Sequence, residues 1–220
     1  MNGFEPTRAG FGYEKPVGGE TNEWLTPPGL LKILGPFDLD PCAVAPWLVE
    51  YRKDGKLLGY NPALDKAEAE AVRDRDAVAD PSIVGPIYQR PWPTAETMYS
   101  VLDDGLRKAW EGRVFANPPY SSHVVHWAKR MREHGNGILL IFSRTETEAW
   151  RTVWQADAVL FPYGRISFYL PSGQKAKSGT APSALLAYGQ SNVECLRTCG
   201  LAGTFITGHV ILEGRKASSL

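Results

Sequence analysis

A continuous apolar run, Gly137 to Phe142, constrains the fold of this chain more than any other sequence feature. A strand without polar alternation must be buried on both faces, as in a parallel sheet covered by helices. Helical patterns flank it, one stopped by Gly135 and one opened by the capping box Thr145-x-x-Glu148. Other strands are predicted at residues 37–40, 113–116, 158–161, 166–170, 183–188 and 204–212. Strands that alternate with helices predict an α/β fold with a mainly parallel sheet flanked by helices.

The segment 44–97 differs in character and is interpreted as an insertion. Two strand patterns around Lys53-Asp54-Gly55 predict a β-hairpin. A charged, Ala-rich helix is expected at residues 66–78, and the prolines between residues 81 and 93 predict an extended loop. Residues 1–20 are Gly-rich and polar, which is typical of a flexible arm, so the expected domain comprises residues 21–220.

The composition favours a globular protein of the cytoplasm. With 43% hydrophobic and 22% charged residues, the chain is not wholly disordered. No apolar run approaches the roughly 20 residues that span a bilayer, and residues 1–20 lack the apolar core of a secretory signal. Three cysteines are too few for a disulfide framework, which suits a reducing compartment. The four histidines form no ligand cluster, so no metal site is predicted.

The net charge of zero conceals an asymmetry along the chain. Residues 1–80 carry 9 Lys/Arg and 14 Asp/Glu, whereas residues 81–220 carry 15 and 10. A basic second part could face phosphate while the acidic first part faces elsewhere. The asymmetry therefore predicts modest, salt-sensitive affinity for nucleic acid rather than tight non-specific coating.

The tetrapeptide Asn117-Pro118-Pro119-Tyr120 directly follows a predicted strand, where an open α/β sheet binds its ligands. Two prolines stiffen the backbone and remove two N–H donors, which leaves the Asn117 side-chain oxygen and the Pro118 carbonyl as acceptors. This edge suits a planar NH2 group held by both hydrogens, with the Tyr120 ring against the group that carries the nitrogen. Such acceptors favour a tetrahedral nitrogen that can attack an electrophile. The alternative interpretation is a simple turn after a strand.

Three further segments accompany this tetrapeptide. In chain order the four are Glu23-Trp24-Leu25-Thr26-Pro27, Phe37-Asp38-Leu39-Asp40-Pro41-Cys42-Ala43, the stretch from Asp103 to Ser121, and Gly164-Arg165-Ile166-Ser167-Phe168. Together they resemble the phage-type DNA N6-adenine methyltransferase (Dam) family. The resemblance implies a Rossmann-like class I methyltransferase fold, a phage or prophage origin, and S-adenosylmethionine as the cofactor. It also implies methyl transfer to the 6-amino group of adenine in DNA.

The resemblance further implies a role for each matching residue. The catalytic motif that holds the target base would be Asn117, Pro118, Pro119 and Tyr120. The cofactor would be held by Trp24, Thr26, Asp40, Pro41, Asp103 and Asp104. The base or the DNA backbone would be flanked by Arg165 and Phe168. Because the amine of adenine is stacked and paired inside a duplex, the base would have to be flipped into the site.

The loop at residues 171–180 is small, polar and basic, and follows the strand predicted at residues 166–170. Its Lys175 and Lys177 are candidates for contacts with DNA phosphate. A disordered surface loop is the alternative. The insertion at residues 44–97 is the other candidate for contacts with DNA or a partner.

The chain departs from many methyltransferases after its first strand, where Asp40-Pro41-Cys42-Ala43 replaces a Gly-x-Gly loop. Several implied residues also have structural interpretations: Asp40, Asp103 and Asp104 as turn formers, Trp24 as a packing anchor, Arg165 as an ion-pair partner and Phe168 as core. Two other functions stay open, namely methylation of protein glutamine or RNA guanine, and DNA binding by a catalytically inactive homologue. The segments around Thr26 and Asp104 favour DNA.

Overall fold

The computed structural model describes residues 24–44, 47–52, 57–62, 83–89, 91–100, 103–119, 124–170, 172–176 and 181–208. These residues form two sheets and four helices. The arm at residues 1–20, the helix expected at 66–78 and the turn Lys53-Asp54-Gly55 lie outside the described residues. No helix among the described residues is long and apolar enough to cross a membrane.

A seven-stranded sheet forms the centre of the protein, in the order β10-β8-β9-β7-β6-β1-β5. Its strands are β1 (Leu39–Asp40), β5 (Thr97–Met98), β6 (Val114–Ala116), β7 (Gly137–Phe142), β8 (Ala158–Pro162), β9 (Ser183–Tyr188) and β10 (Gly203–Thr207). The strands β5, β1, β6 and β7 pair in parallel, whereas β9 pairs antiparallel with both β7 and β8. It follows that β8 runs in the same direction as β7, although β9 separates them.

The sheet is mixed, which corrects the prediction of a mainly parallel sheet. Three of its pairings are antiparallel, namely those of β9 with β7, β9 with β8, and β10 with β8. The residues of β9, from Ser183 to Tyr188, are all buried, like the apolar core of β7. A strand buried on both faces has the same apolar pattern in either direction, so the pattern could not reveal the reversal.

Helices cover both faces of this sheet and bury their apolar sides against it. On one face, α2 (Val124–His134) and α3 (Glu148–Val153) contribute Trp127, Met131 and Trp150 to one core cluster. On the other face, α1 (Pro28–Leu34) and α4 (Gln190–Thr198) contribute Leu30, Leu34, Val193 and Leu196 to a second cluster. The predicted α/β architecture, with helices on both sides of a central sheet, is therefore confirmed.

Two local predictions are wrong. Residues 166–170 do not form a strand; Tyr169 alone makes bridges, to Leu25 and to Lys175. The capping box also fails, because α3 begins at Glu148 with Thr147 rather than Thr145 at the N-cap. The Thr147 hydroxyl bonds back to the Arg144 carbonyl at 2.8 Å and so does not cap the helix.

A second, three-stranded sheet, in the order β3-β2-β4, is built from β2 (Trp47–Arg52), β3 (Leu57–Pro62) and β4 (Ile83–Gln89). The antiparallel pairing of β2 with β3 confirms the hairpin. The proline-rich segment is not a loop throughout, because β4 pairs antiparallel with β2. The central sheet resumes at β5, whose first residue, Thr97, coincides with the end of the segment interpreted as an insertion.

Candidate active site

The carboxyl ends of three neighbouring parallel strands gather the candidate residues at one edge of the central sheet. The strand β1 ends at Asp40, β6 is followed by Asn117, and β5 is followed by Tyr99 and Ser100. The parallel pairing of β1 with both β5 and β6 brings these three ends side by side. This is the position at which α/β sheets bind their ligands, as the sequence predicts.

The Asn117 side chain is held by the segment that precedes α1. Its amide nitrogen donates to the Trp24 carbonyl at 3.2 Å and to the Thr26 hydroxyl at 3.1 Å. A carbonyl can only accept a hydrogen bond, so the amide must turn its NH2 group towards Trp24. The side-chain oxygen of Asn117 is thereby set on the opposite side, as an acceptor. Two residues that the sequence assigns to the cofactor therefore orient the Asn117 side chain.

The prolines of the motif differ in exposure. Pro118 is buried and Pro119 is exposed, whereas Tyr120 lies outside the described residues. A buried proline next to Asn117 limits backbone movement at this point, because its ring restricts φ. The motif thus has a rigid first half, and the assignment of Tyr120 stays a prediction.

Thr26 is 2% exposed and is contacted from a part of the chain that the sequence assigned to the insertion. The indole nitrogen of Trp92 donates to the Thr26 carbonyl at 2.9 Å. The Trp92 ring also packs edge-on against Tyr169, with centroids 5.1 Å apart. Sequence reasoning missed Trp92. The available signal was a large aromatic residue between two prolines, at the end of a segment that was predicted to be an extended loop.

Asp40 is 2% exposed and its carboxylate closes the turn after β1. One oxygen accepts the backbone N–H of Cys42 at 3.0 Å, and the other accepts the hydroxyl of Thr94 at 2.5 Å. The interpretation of Asp40 as a turn former is therefore supported, and Thr94 is a second residue that sequence reasoning missed. Both bonds stabilise the ionised carboxylate in the interior.

The thiol of Cys42 responds to the negative charge at this edge of the sheet. Burial raises the pKa of the Cys42 thiol well above its usual value, and the carboxylate of Asp40 raises it further. The backbone of Asn117 lies close enough to act in the opposite direction through a hydrogen bond. The turn Asp40-Pro41-Cys42 and the start of the Asn117 motif are thus neighbours.

Asp103 and Asp104 have different surroundings. The Asp103 carboxylate accepts the backbone N–H of Ser100 at 3.1 Å and the ammonium of Lys108 at 3.0 Å, with 20% of its side chain exposed. Burial alone would raise its pKa, but these bonds lower the pKa below the usual value for Asp. Asp104 has 57% of its side chain exposed, pairs with Arg107 at the surface, and adopts a positive φ of 54°. Of the two, Asp103 is the one bonded to Ser100, which lies two residues after β5.

The two predicted cofactor turns are in direct contact through Gly105. A Cβ atom at Gly105 would overlap the carbonyl oxygen of Pro41, so no side chain fits there. The Gly105 carbonyl in turn accepts the indole N–H of Trp110 at 2.8 Å, which ties this turn to the core. Gly105 therefore joins the turn at Pro41 and the core residue Trp110 in this structure.

The residues assigned to DNA do not all reach a surface. Phe168 is 5% exposed and packs in the core cluster of Leu30 and Phe37, so its ring has no free face for a base. The structural interpretation of Phe168 as core is therefore the better one. Arg165 and Lys175 are exposed, and both line a groove beside the start of α1. Lys177 lies outside the described residues. The described residues contain no group of three His, Cys, Asp or Glu that could hold a metal ion.

Comparison with known proteins gives one family. Residues 93–194, a little less than half of the chain, match the family model described as DNA N-6-adenine-methyltransferase (Dam). The match confirms the resemblance, and the family name indicates an enzyme that methylates adenine in DNA. It includes Asp103, Asn117, Arg165 and Lys175, but begins after Asp40. No curated protein and no solved structure matches the chain.

Proposed function

Since residues 93–194 match the Dam family, we propose that this chain transfers a methyl group from S-adenosylmethionine to the 6-amino group of adenine in DNA. The fold would be a Rossmann-like class I methyltransferase fold. The mixed strand order, with one antiparallel strand inserted between β7 and β8, supports an open α/β sheet whose ligands lie at the carboxyl ends of its strands.

The orientation of Asn117 carries the proposal. Its NH2 group donates hydrogen bonds to Trp24 and Thr26, which fixes the orientation of the amide. The side-chain oxygen of Asn117 is therefore an acceptor that points away from these two residues. Together with the carbonyl of Pro118, this oxygen would accept both hydrogens of the adenine amine. A substrate amine is recognised by acceptors and an oxyanion by donors, so this motif suits an amine. An electrostatic arrangement that exists before the substrate binds needs no reorganisation during the reaction.

The residues at this edge also fit the proposed cofactor. S-adenosylmethionine carries an ammonium and a sulfonium group, and when bound it supplies an electrophilic methyl group. The buried carboxylate of Asp40 would supply negative charge at this edge, which favours both cations. Both oxygens of Asp40 already accept hydrogen bonds from its own surroundings, so it would act through its charge. Asp103 stays ionised at neutral pH and would accept ribose hydroxyls.

The chain would contribute orientation rather than acid–base chemistry. A flipped adenine would present its amine to Asn117 and Pro118, and its ring to Tyr120. Acceptors on both hydrogens draw the nitrogen towards a tetrahedral geometry, which makes its lone pair available for the new C–N bond. The S–CH3 bond of the sulfonium would break as this bond forms, and its electron pair would stay on the sulfur of the departing thioether. The nitrogen then carries one proton too many, which leaves for the solvent after transfer. No side chain has to remove a proton before the methyl group moves.

The test is methyl transfer from radiolabelled S-adenosylmethionine to DNA, RNA and protein substrates in parallel, followed by nucleoside analysis. We expect label in DNA, as N6-methyladenine, and a loss of rate of about 100-fold in Asn117→Ala. Asn136→Ala is the control for loss of a hydrogen-bonded amide, because Asn136 lies just before β7, at the opposite end of the strands, and its side chain bonds to the Gly112 carbonyl and to Asn192. Label only in protein or RNA would contradict the DNA assignment. No transfer to any substrate, together with no binding of S-adenosylmethionine in calorimetry, would favour an inactive homologue.

A further inference from the structure

A groove of about 410 Å³ lies between the start of α1 and the segment that follows β8. The side of α1 contributes Pro27 and Ile33, and the other wall contributes Tyr163, Arg165 and Lys175. Its lining includes two basic residues and no Asp or Glu. A groove of this charge is complementary to an anionic ligand such as a phosphate backbone.

The groove also concentrates exposed apolar surface. Among the described residues, the large hydrophobic side chains that are exposed are those of Ile33, 40% exposed, and Tyr163, 72% exposed, and both line it. Gly164, with φ of 76°, forms the turn directly after Tyr163, where a Cβ atom would meet nothing within 4 Å. An aromatic ring held out at an open turn beside two cations is the combination on which single nucleotides stack.

The groove is at the same edge of the sheet as Asn117. The strand β8 runs parallel to β6 and β7, so its end at Pro162, followed by Tyr163, points to the same edge as the end of β6. The lining residue Pro27 directly follows Thr26, which holds the Asn117 amide. A chain of nucleotides that leaves Asn117 along the segment from Thr26 to Pro27 would therefore enter this groove.

We propose that the groove binds the DNA strand next to the flipped base, with a neighbouring base stacked on Tyr163 and phosphates held by Arg165 and Lys175. The inference rests on the proposed function and adds a binding element to it. Tyr163 would then act on DNA binding rather than on the methyl transfer itself. Base flipping costs the pairing and stacking energy of the target base. Contacts between the groove and the neighbouring nucleotides would help to offset this cost.

The experiment compares Tyr163→Ala, Tyr163→Phe and the double variant Arg165→Ala/Lys175→Ala with the wild-type chain. Fluorescence anisotropy with labelled duplex DNA gives Kd at several salt concentrations, and methyl transfer gives kcat and KM for DNA. Lys129→Ala controls for the loss of one exposed positive charge elsewhere, because Lys129 is exposed on α2, which covers the other face of the sheet.

We expect Tyr163→Ala to raise Kd and KM for DNA about tenfold at similar kcat, and Tyr163→Phe to stay within about twofold of wild type. The double variant should weaken binding and reduce the slope of log Kd against log salt by about 0.9 for each phosphate that is no longer neutralised. Lys129→Ala should change neither the Kd for DNA nor the slope of log Kd against log salt. Since Tyr163 is mostly exposed, circular dichroism should show no loss of folding.

Affinity within twofold of wild type in both Tyr163→Ala and the double variant would overturn the groove proposal. An equal loss in Tyr163→Ala and Tyr163→Phe would also overturn it, because stacking does not need the hydroxyl. Absence of DNA methylation by the wild-type chain would contradict the proposed function instead, and the anisotropy measurements would still decide the groove.

Discussion

The amide nitrogen of Asn117 lies 3.1 Å from the hydroxyl oxygen of Thr26, across 91 residues of sequence. This bond connects the segment before α1 to the end of β6. It gives Thr26 a role in positioning Asn117 besides the contact with cofactor implied by the family. The two roles have different kinetic consequences, which can be separated.

Thr26→Val removes the hydroxyl at nearly constant volume. If Thr26 positions Asn117, kcat should fall roughly five- to tenfold, as expected for one hydrogen bond, while the KM for S-adenosylmethionine stays the same. Thr26→Ser should retain most of the activity, because it keeps the hydroxyl. Steady-state kinetics with both substrates varied make the measurement. A change confined to the KM for the cofactor would assign Thr26 to cofactor binding alone.

Asn117→Asp tests whether the donors of the amide are needed. A carboxylate at this position keeps the acceptor but loses both donors, and it faces the carbonyl of Trp24, which repels it. We therefore expect Asn117→Asp to lose at least tenfold in kcat. Activity equal to wild type would mean that the orientation of the amide by Trp24 and Thr26 has no part in catalysis.

Gly105→Ala should destabilise the fold, because its Cβ would overlap the Pro41 carbonyl and the two turns would have to separate. We expect a loss of about 1–3 kcal/mol in the free energy of unfolding, measured with urea. Gly29→Ala is the control, since a Cβ there meets nothing within 4 Å and alanine favours the helix α1. Similar midpoints for wild type and Gly105→Ala would show that the overlap can relax at no cost.

Asp103→Asn should lower stability in a manner that depends on pH. Because folding lowers the pKa of Asp103, its ionised form contributes stability that is complete above the unfolded-state pKa and is lost as pH falls through the folded-state value. The variant should therefore lose about 0.5–1 kcal/mol at pH 7, since the pair with Lys108 is partly exposed to solvent, and less as the pH is taken below about 4. Urea unfolding over pH 3–7 measures both.

Asp104→Asn is the matched control for Asp103→Asn. Its carboxylate is exposed and pairs with Arg107 at the surface, and asparagine accepts a positive φ well, so we expect almost no change at any pH. Equal effects of the two substitutions would contradict the different surroundings of the two carboxylates.

Alkylation of Cys42 should require higher pH than alkylation of an exposed cysteine, because burial and Asp40 raise its pKa. In Asp40→Asn the negative charge is gone, so the reaction should begin at lower pH. Thr94→Val, which removes a hydrogen-bond donor to Asp40 but no charge, should not lower the onset. Peptide mass spectrometry after timed reaction with iodoacetamide gives the rate for each cysteine. An unchanged onset in Asp40→Asn would contradict a negative potential at this edge.

Local patterns predicted the elements on which the site is built, but not the contacts that complete it. The strand before Asn117 and the turn at Asp40 are short-range signals, and both are found where expected. The contacts of Trp92 with Thr26 and of Thr94 with Asp40 were not predicted. They join residues 66 and 54 positions apart in the sequence, and local periodicity carries no information on contacts at such separations. The pattern places Phe168 in a strand that does not form, and its alternation with Ile166 reflects packing into the core instead.

The position of β9 between β7 and β8 affects how the protein can fold. The strands β7 and β8 do not pair with each other, and each pairs instead with β9, which comes later in the chain. Neither of these pairings, such as that of Gly137 with Tyr188, can form before residues 183–188 have been synthesised. Until that stretch emerges during synthesis, β7 and β8 each present an open, apolar edge, which is the kind of surface that aggregates. Completion of the sheet is thus a late, long-range event, and such events make folding slow. A nascent chain stopped before Ser183 would contain α2 and α3 but would lack both α4 and the strand that lies between β7 and β8.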